Sequence, residues 1–135
     1  MSAQPMKIPG PDHPITITPN PKRVVVTWNG RVVADSRKAL TLKEARYPAV
    51  SYIPRGDVDV ALLARSPHKS HCPYKGEASY YTIVSDGKRS ENAIWSYEDP
   101  SDAVGEIKGY VAFYPDRVDS IEELTIQGRR DADGA

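Results

Sequence analysis

Cysteine is nearly missing from this sequence of 135 residues: it occurs once, at Cys72. A single thiol cannot close an intrachain disulfide, so packing must hold the framework. It also excludes a structural zinc site built mainly from thiolates. Charge of one sign is missing too. Lys and Arg number 18, as do Asp and Glu, and the formal net charge is zero. That balance argues against a general electrostatic grip on nucleic acid or on anionic lipid. No apolar run approaches the roughly 20 residues that span a bilayer, and Met1 to Gly10 has no apolar stretch of the secretory type. The expectation is a cytoplasmic protein with no membrane and no nucleic-acid partner. Phenylalanine occurs once, at Phe113, against eight tyrosines.

What is present reads as one β-rich domain. Residues 1–21 hold six of the 12 prolines, which predicts an extended arm rather than a helix. Inside it, Ile15 to Thr18 alternates apolar and polar residues and can add an edge strand or meet a partner. Arg23 to Trp28 and Arg31 to Asp35 flank Asn29-Gly30, the signature of a type I′ hairpin. Further strands are expected at Ala39 to Leu42, Val50 to Ile53, Glu77 to Val84, Asn92 to Tyr97, Tyr110 to Tyr114 and Val118 to Ile121. Asp57 reads as the N-cap of a two-turn helix ending near Ser66-Pro67. His68 to Gly76 reads as loop, and Pro100-Ser101-Asp102 opens a second short helix. The sum is a mainly β chain: a small rolled sheet, barrel or sandwich, of seven to nine short strands with two short helices. Both faces of Glu77 to Val84 carry apolar or aromatic groups, so that strand should be covered on both sides. The domain is bounded at 22–126, with a polar tail over 127–135.

Several segments together carry a family resemblance. They are His13-Pro14-Ile15-Thr16-Ile17, Tyr52-Ile53-Pro54-Arg55, His71-Cys72-Pro73-Tyr74-Lys75-Gly76, Trp95-Ser96-Tyr97 and Gly109-Tyr110-Val111-Ala112-Phe113-Tyr114. The chain resembles the family catalogued as domain of unknown function 427, sometimes labelled nucleotidyltransferase-like. The resemblance implies a compact β domain that forms a homodimer. The sequence lacks a Gly-Ser motif followed by paired aspartates, with which better known nucleotidyltransferases hold magnesium.

The residues suited to chemistry fall in four places. Cys72 to Gly76 is a turn with Pro73 and Gly76 as its formers; Cys72 and Lys75 are its candidate catalytic groups, as nucleophile and as ammonium. His71 is a candidate ligand-binding side chain beside them. His13, His68, His71 and Cys72 match no standard metal spacing, and no metal site is assigned. Arg55 precedes a candidate helix start and can receive an anion. Tyr52, Tyr81, Trp95 and Tyr97 can wall a cleft with ring faces and polar tips. The leading expectation is a small-molecule site for an anionic ligand, in which Arg55 and Lys75 flank this aromatic band. A homodimeric interaction module without catalysis and a nucleotidyltransferase-like enzyme are the alternatives. The sequence names no cofactor.

Overall fold

The computed structural model describes residues 6–126, so the polar tail expected over 127–135 lies outside the described residues. Ten strands form two sheets, and no barrel closes among the described residues. Strands β1 (Ile15–Pro19), β4 (Leu40–Glu44), β5 (Val50–Pro54), β6 (Leu63–Cys72), β7 (Gly76–Ser85), β8 (Lys88–Ser96) and β9 (Tyr110–Phe113) make a seven-stranded sheet. Its order is β1-β4-β5-β9-β8-β7-β6. Strands β2 (Arg23–Trp28), β3 (Arg31–Ser36) and β10 (Ser120–Leu124) make the second, in the order β10-β2-β3. Every pairing is antiparallel. The fold is mainly β, as the sequence implies.

Turn chemistry sets the two tightest hairpins. Asn29 and Gly30 both take positive φ, as do Asp86 and Gly87, which is the geometry that matches the twist of the flanking strands. The short sheet lays Val24, Val26 and Val33 on one face of the large sheet, against Ile53, Ile83, Ile94 and Val111. The opposite face buries Leu42, Tyr52, Tyr80, Tyr97 and Ala112 under Val104 and Ile107. These last two come from a 3₁₀ segment, Asp102–Ile107, at the position expected for the second helix. The large sheet is therefore covered on both sides, and β7 is buried on both faces.

The first expected helix does not form. Two single 3₁₀ turns, Arg55–Asp57 and Val60–Leu62, take its place, and β6 follows at once. The cap is Asp59, whose carboxylate accepts from the Ala61 amide at 3.3 Å, while Asp57 accepts from the Ser36 hydroxyl at 2.7 Å. The segment expected as loop from His68 runs as strand to Cys72. Pro67 did not stop it because the register shifts between Ser66 and Lys69, and β6 is the sheet edge. A bulge on an edge strand has no ladder bond for a proline to break. The last strand starts at Ser120 rather than Val118. Among the described residues, no helix is long and apolar enough to cross a membrane.

Candidate functional site

The N-terminal arm is tied to the sheet and delivers a histidine to it. Strand β1 pairs with β4, and the Ala45 amide donates to the Pro14 carbonyl at 2.8 Å. The Lys7 amide donates to the Pro73 carbonyl at 2.8 Å. His13 then stacks on Tyr74, ring centroids 3.9 Å apart and nearly parallel. Its Nε2 lies 2.7 Å from the Glu44 carboxylate.

Glu44 is the centre of a small ionic cluster. Its other oxygen accepts from the Lys75 ammonium in an ion pair. The Lys75 side chain is only 9% exposed and that of Glu44 13%. Burial disfavours the charged carboxylate, but Lys75 and His13 outweigh it and hold the Glu44 carboxyl below its ordinary range. A lone buried charge is costly; a paired and hydrogen-bonded one is tolerated. The turn that carries Lys75 is itself clamped. The Ser101 amide donates to the Lys75 carbonyl at 3.0 Å, and the Ser101 hydroxyl to the Tyr74 carbonyl at 2.8 Å. Gly76, at φ +114°, lets the chain turn from there into β7.

Lys75 and Glu44 face a cavity of about 220 Å³. Of the sequence-predicted residues, Tyr52, Lys75, Trp95 and Tyr97 line it; Glu44, Tyr80 and Tyr114 join them. The Trp95 indole N–H donates to the Tyr52 hydroxyl at 3.1 Å, with the two rings perpendicular. Trp95 also packs on Tyr114, centroids 4.5 Å apart. The Lys75 ammonium sits 5.7 Å from the centre of the Tyr97 ring. Burial pushes the Tyr52 and Tyr97 phenols up, opposed at Tyr52 by the hydrogen bond from Trp95, so both are neutral. Tyr114 is pushed up to about 12 by burial and by its hydrogen bond to Tyr80. The arrangement offers a ligand flat ring faces, neutral hydroxyls and one fixed cation–anion pair.

Arg55 and Tyr81 are elsewhere. Successive residues of a strand point to opposite faces, and Tyr81 belongs to the core beneath the short sheet whereas Tyr80 belongs to the other. The Tyr81 hydroxyl donates to Glu98 at 2.6 Å and accepts from Arg55 at 3.1 Å and Arg65 at 2.8 Å. Arg65 closes a second contact to Glu98, and this pairing holds the Glu98 carboxyl at about 2. The structure thus does not place Arg55 and Lys75 in one hollow. His71 is exposed on the sheet edge, and Cys72 is half-buried against the aromatic core without lining the cavity. His68 packs on Tyr80, centroids 4.5 Å apart. Among the described residues, no three His, Cys, Asp or Glu side chains gather as a metal site.

Sequence reasoning missed Glu44, Tyr80 and Tyr114. For Glu44 a signal existed: Leu40, Leu42 and Glu44 share one face of β4, which puts a carboxylate in register with two apolar residues.

The chain belongs to the domain of unknown function 427 (DUF427) family, whose profile matches residues 16–124. No curated protein matches the chain.

Proposed function

We propose that this chain binds a small polar molecule in the cavity between Lys75, Tyr52, Trp95 and Tyr97. One observation carries the reading: the Lys75–Glu44 pair is kept almost out of solvent, yet it faces an aromatic hollow rather than packed apolar side chains. A few fixed polar groups in an otherwise apolar or aromatic concavity are the usual make-up of a ligand site. The ligand need not be an anion. Lys75 is already neutralised by Glu44, so an anion would have to displace that carboxylate or share the ammonium with it. A neutral molecule with hydroxyl or carbonyl groups can instead bond to the unpaired edges of the ion pair and stack on the rings.

The test is a fragment screen by ¹H–¹⁵N NMR on the whole chain, reading the indole cross-peak of Trp95. Polyols, amides and carbonyl compounds should move that peak, and Lys75→Met should abolish the response. A screen in which only fragments acting at Arg55 and Arg65 give shifts would overturn the reading.

A second reading, self-association, is favoured by the outer side of β1, which among the described residues pairs only with β4 and ends the large sheet. Strand addition there would extend the sheet into a second copy. Sedimentation at rising concentration tests it; a monomer throughout, unchanged by lysines placed at Thr16 and Thr18, contradicts it.

A further inference from the structure

Trp95 lines a second cavity besides the polar one. Strands β5 and β9 pair at only two positions, Ile53 with Val111 and Pro54 with Tyr110. Beyond them the strands splay, so that Val50 and Ser51 have no partner on the β9 side. A second cavity, of about 720 Å³, opens at this splay. Its walls come from both sheets: Val26 and Ile121 from the short one, Ile53 and Phe113 from the large one. Tyr47, Pro48, Val50 and Trp95 line both cavities, so the two meet along a shared wall at the splay. One end is ionic and phenolic, and the other is mainly aliphatic.

From this adjacency we infer that the ligand is amphipathic: a neutral hydroxyl- or carbonyl-bearing head at Lys75, Glu44 and Tyr97, joined to an apolar body that passes Trp95 and lies between Ile53, Phe113 and Ile121. This rests on the polar-site reading above and adds the class of molecule. The size supports it, since about 720 Å³ lies within the range of small-molecule pockets, whereas the polar cavity alone falls below it. The charge distribution supports it as well. The carboxylates on the walls of the apolar cavity, Asp119 and Glu123, disfavour an anionic tail. The splay itself supports it, because a fully zipped β5–β9 pair would set an unbroken hydrogen-bonded ladder between the two cavities.

The test uses a homologous series below its micelle concentrations: glucose, then n-butyl, n-hexyl and n-octyl β-D-glucoside, with octanoate as the anionic counterpart. Binding is followed on the wild-type chain by the Trp95 indole peak and by the methyl peaks of Ile53 and Ile121. Affinity should rise at least about tenfold from butyl to octyl as methylenes leave water, with the isoleucine methyls moving only for the longer chains. Octanoate should bind more weakly than octyl glucoside. If affinity is flat along the series while the Trp95 peak still moves, the amphipathic inference fails and the polar site stands. If octanoate binds more tightly, the neutral head is wrong. If nothing moves either peak set, the polar-site reading falls with it. Ile121→Trp, which narrows the apolar cavity from the short sheet, should weaken the chain-length dependence and keep the response to the head.

Discussion

Tyr80 and Tyr81 are neighbours in β7, yet their hydroxyls work on opposite faces of the sheet. The Tyr80 oxygen lies 3.3 Å from that of Tyr114, at the aromatic cavity, and the Tyr81 oxygen lies 2.6 Å from Glu98, among arginines. This alternation separates two polar assemblies that the sequence places side by side. On one face stand Lys75, Glu44 and the cavity; on the other, Arg55, Arg65 and Glu98.

The buried ion pair should dominate mutational sensitivity on the cavity face. Glu44→Gln leaves the Lys75 ammonium almost enclosed without its carboxylate. Removing one partner of a buried pair costs about 3 to 5 kcal/mol. Replacing both, as Lys75→Met with Glu44→Gln, should cost less than the sum of the same two single changes. Urea midpoints of the four proteins check this; strict additivity would show that the two side chains do not interact.

Acid should weaken the fold through two carboxylates. Glu44 and Glu98 both titrate below their ordinary value of 4.5 in the folded chain, Glu98 at about 2. As pH falls the unfolded chain binds protons first, so the stabilisation is complete above about pH 4.5 and is lost from there down towards pH 2. Denaturant midpoints measured across that window should fall steadily, and Glu98→Gln should flatten the slope. An unchanged slope in that variant would contradict the role given to Arg65 and Tyr81.

Gly76 sits at φ +114°, a region that side chains strain to enter. A Cβ there meets its nearest neighbour, the Asp99 carbonyl, at 3.6 Å, an ordinary contact. The cost of Gly76→Ala is therefore backbone strain, on the order of 1 to 3 kcal/mol, and it should displace Lys75. Thermal unfolding gives the first figure, and the loss of the Trp95 response to polar fragments reports the second.

Tyr52→Phe removes the acceptor of the Trp95 indole N–H from a site that is 1% exposed. The lost hydrogen bond should cost about 1 kcal/mol. The Trp95 indole proton should move upfield as it loses its partner. A peak that stays in place would show that the bond is absent in solution.

Much of the fold was legible because local chemistry and tertiary structure agree. Asn29-Gly30 and Asp86-Gly87 dictate their hairpins, and the two-sided apolar pattern of Glu77 to Val84 matches a strand buried on both faces. The helix expected from Val58, Ala61 and Leu62 after Asp57 gave way because the strand from Leu63 gains a ladder with β7. Pairing on an edge overrode the breaker at Pro67. Half of the site was legible as well: Tyr52, Lys75, Trp95 and Tyr97 do meet. Arg55 and Tyr81 were grouped with them because nearness in sequence does not record which face of a strand a residue takes. The local pattern of β4 puts Glu44 on the face of Leu40 and Leu42, but its meeting with His13 comes through a pairing of distant segments, which no local window reveals.

The most direct measurement is the Kd of any small molecule that shifts the Trp95 indole peak, compared among wild type, Lys75→Met and Arg55→Met. A site built on the Lys75–Glu44 pair predicts at least about a tenfold loss for Lys75→Met and no change for Arg55→Met. Affinity lost with Arg55 and kept without Lys75 would contradict it.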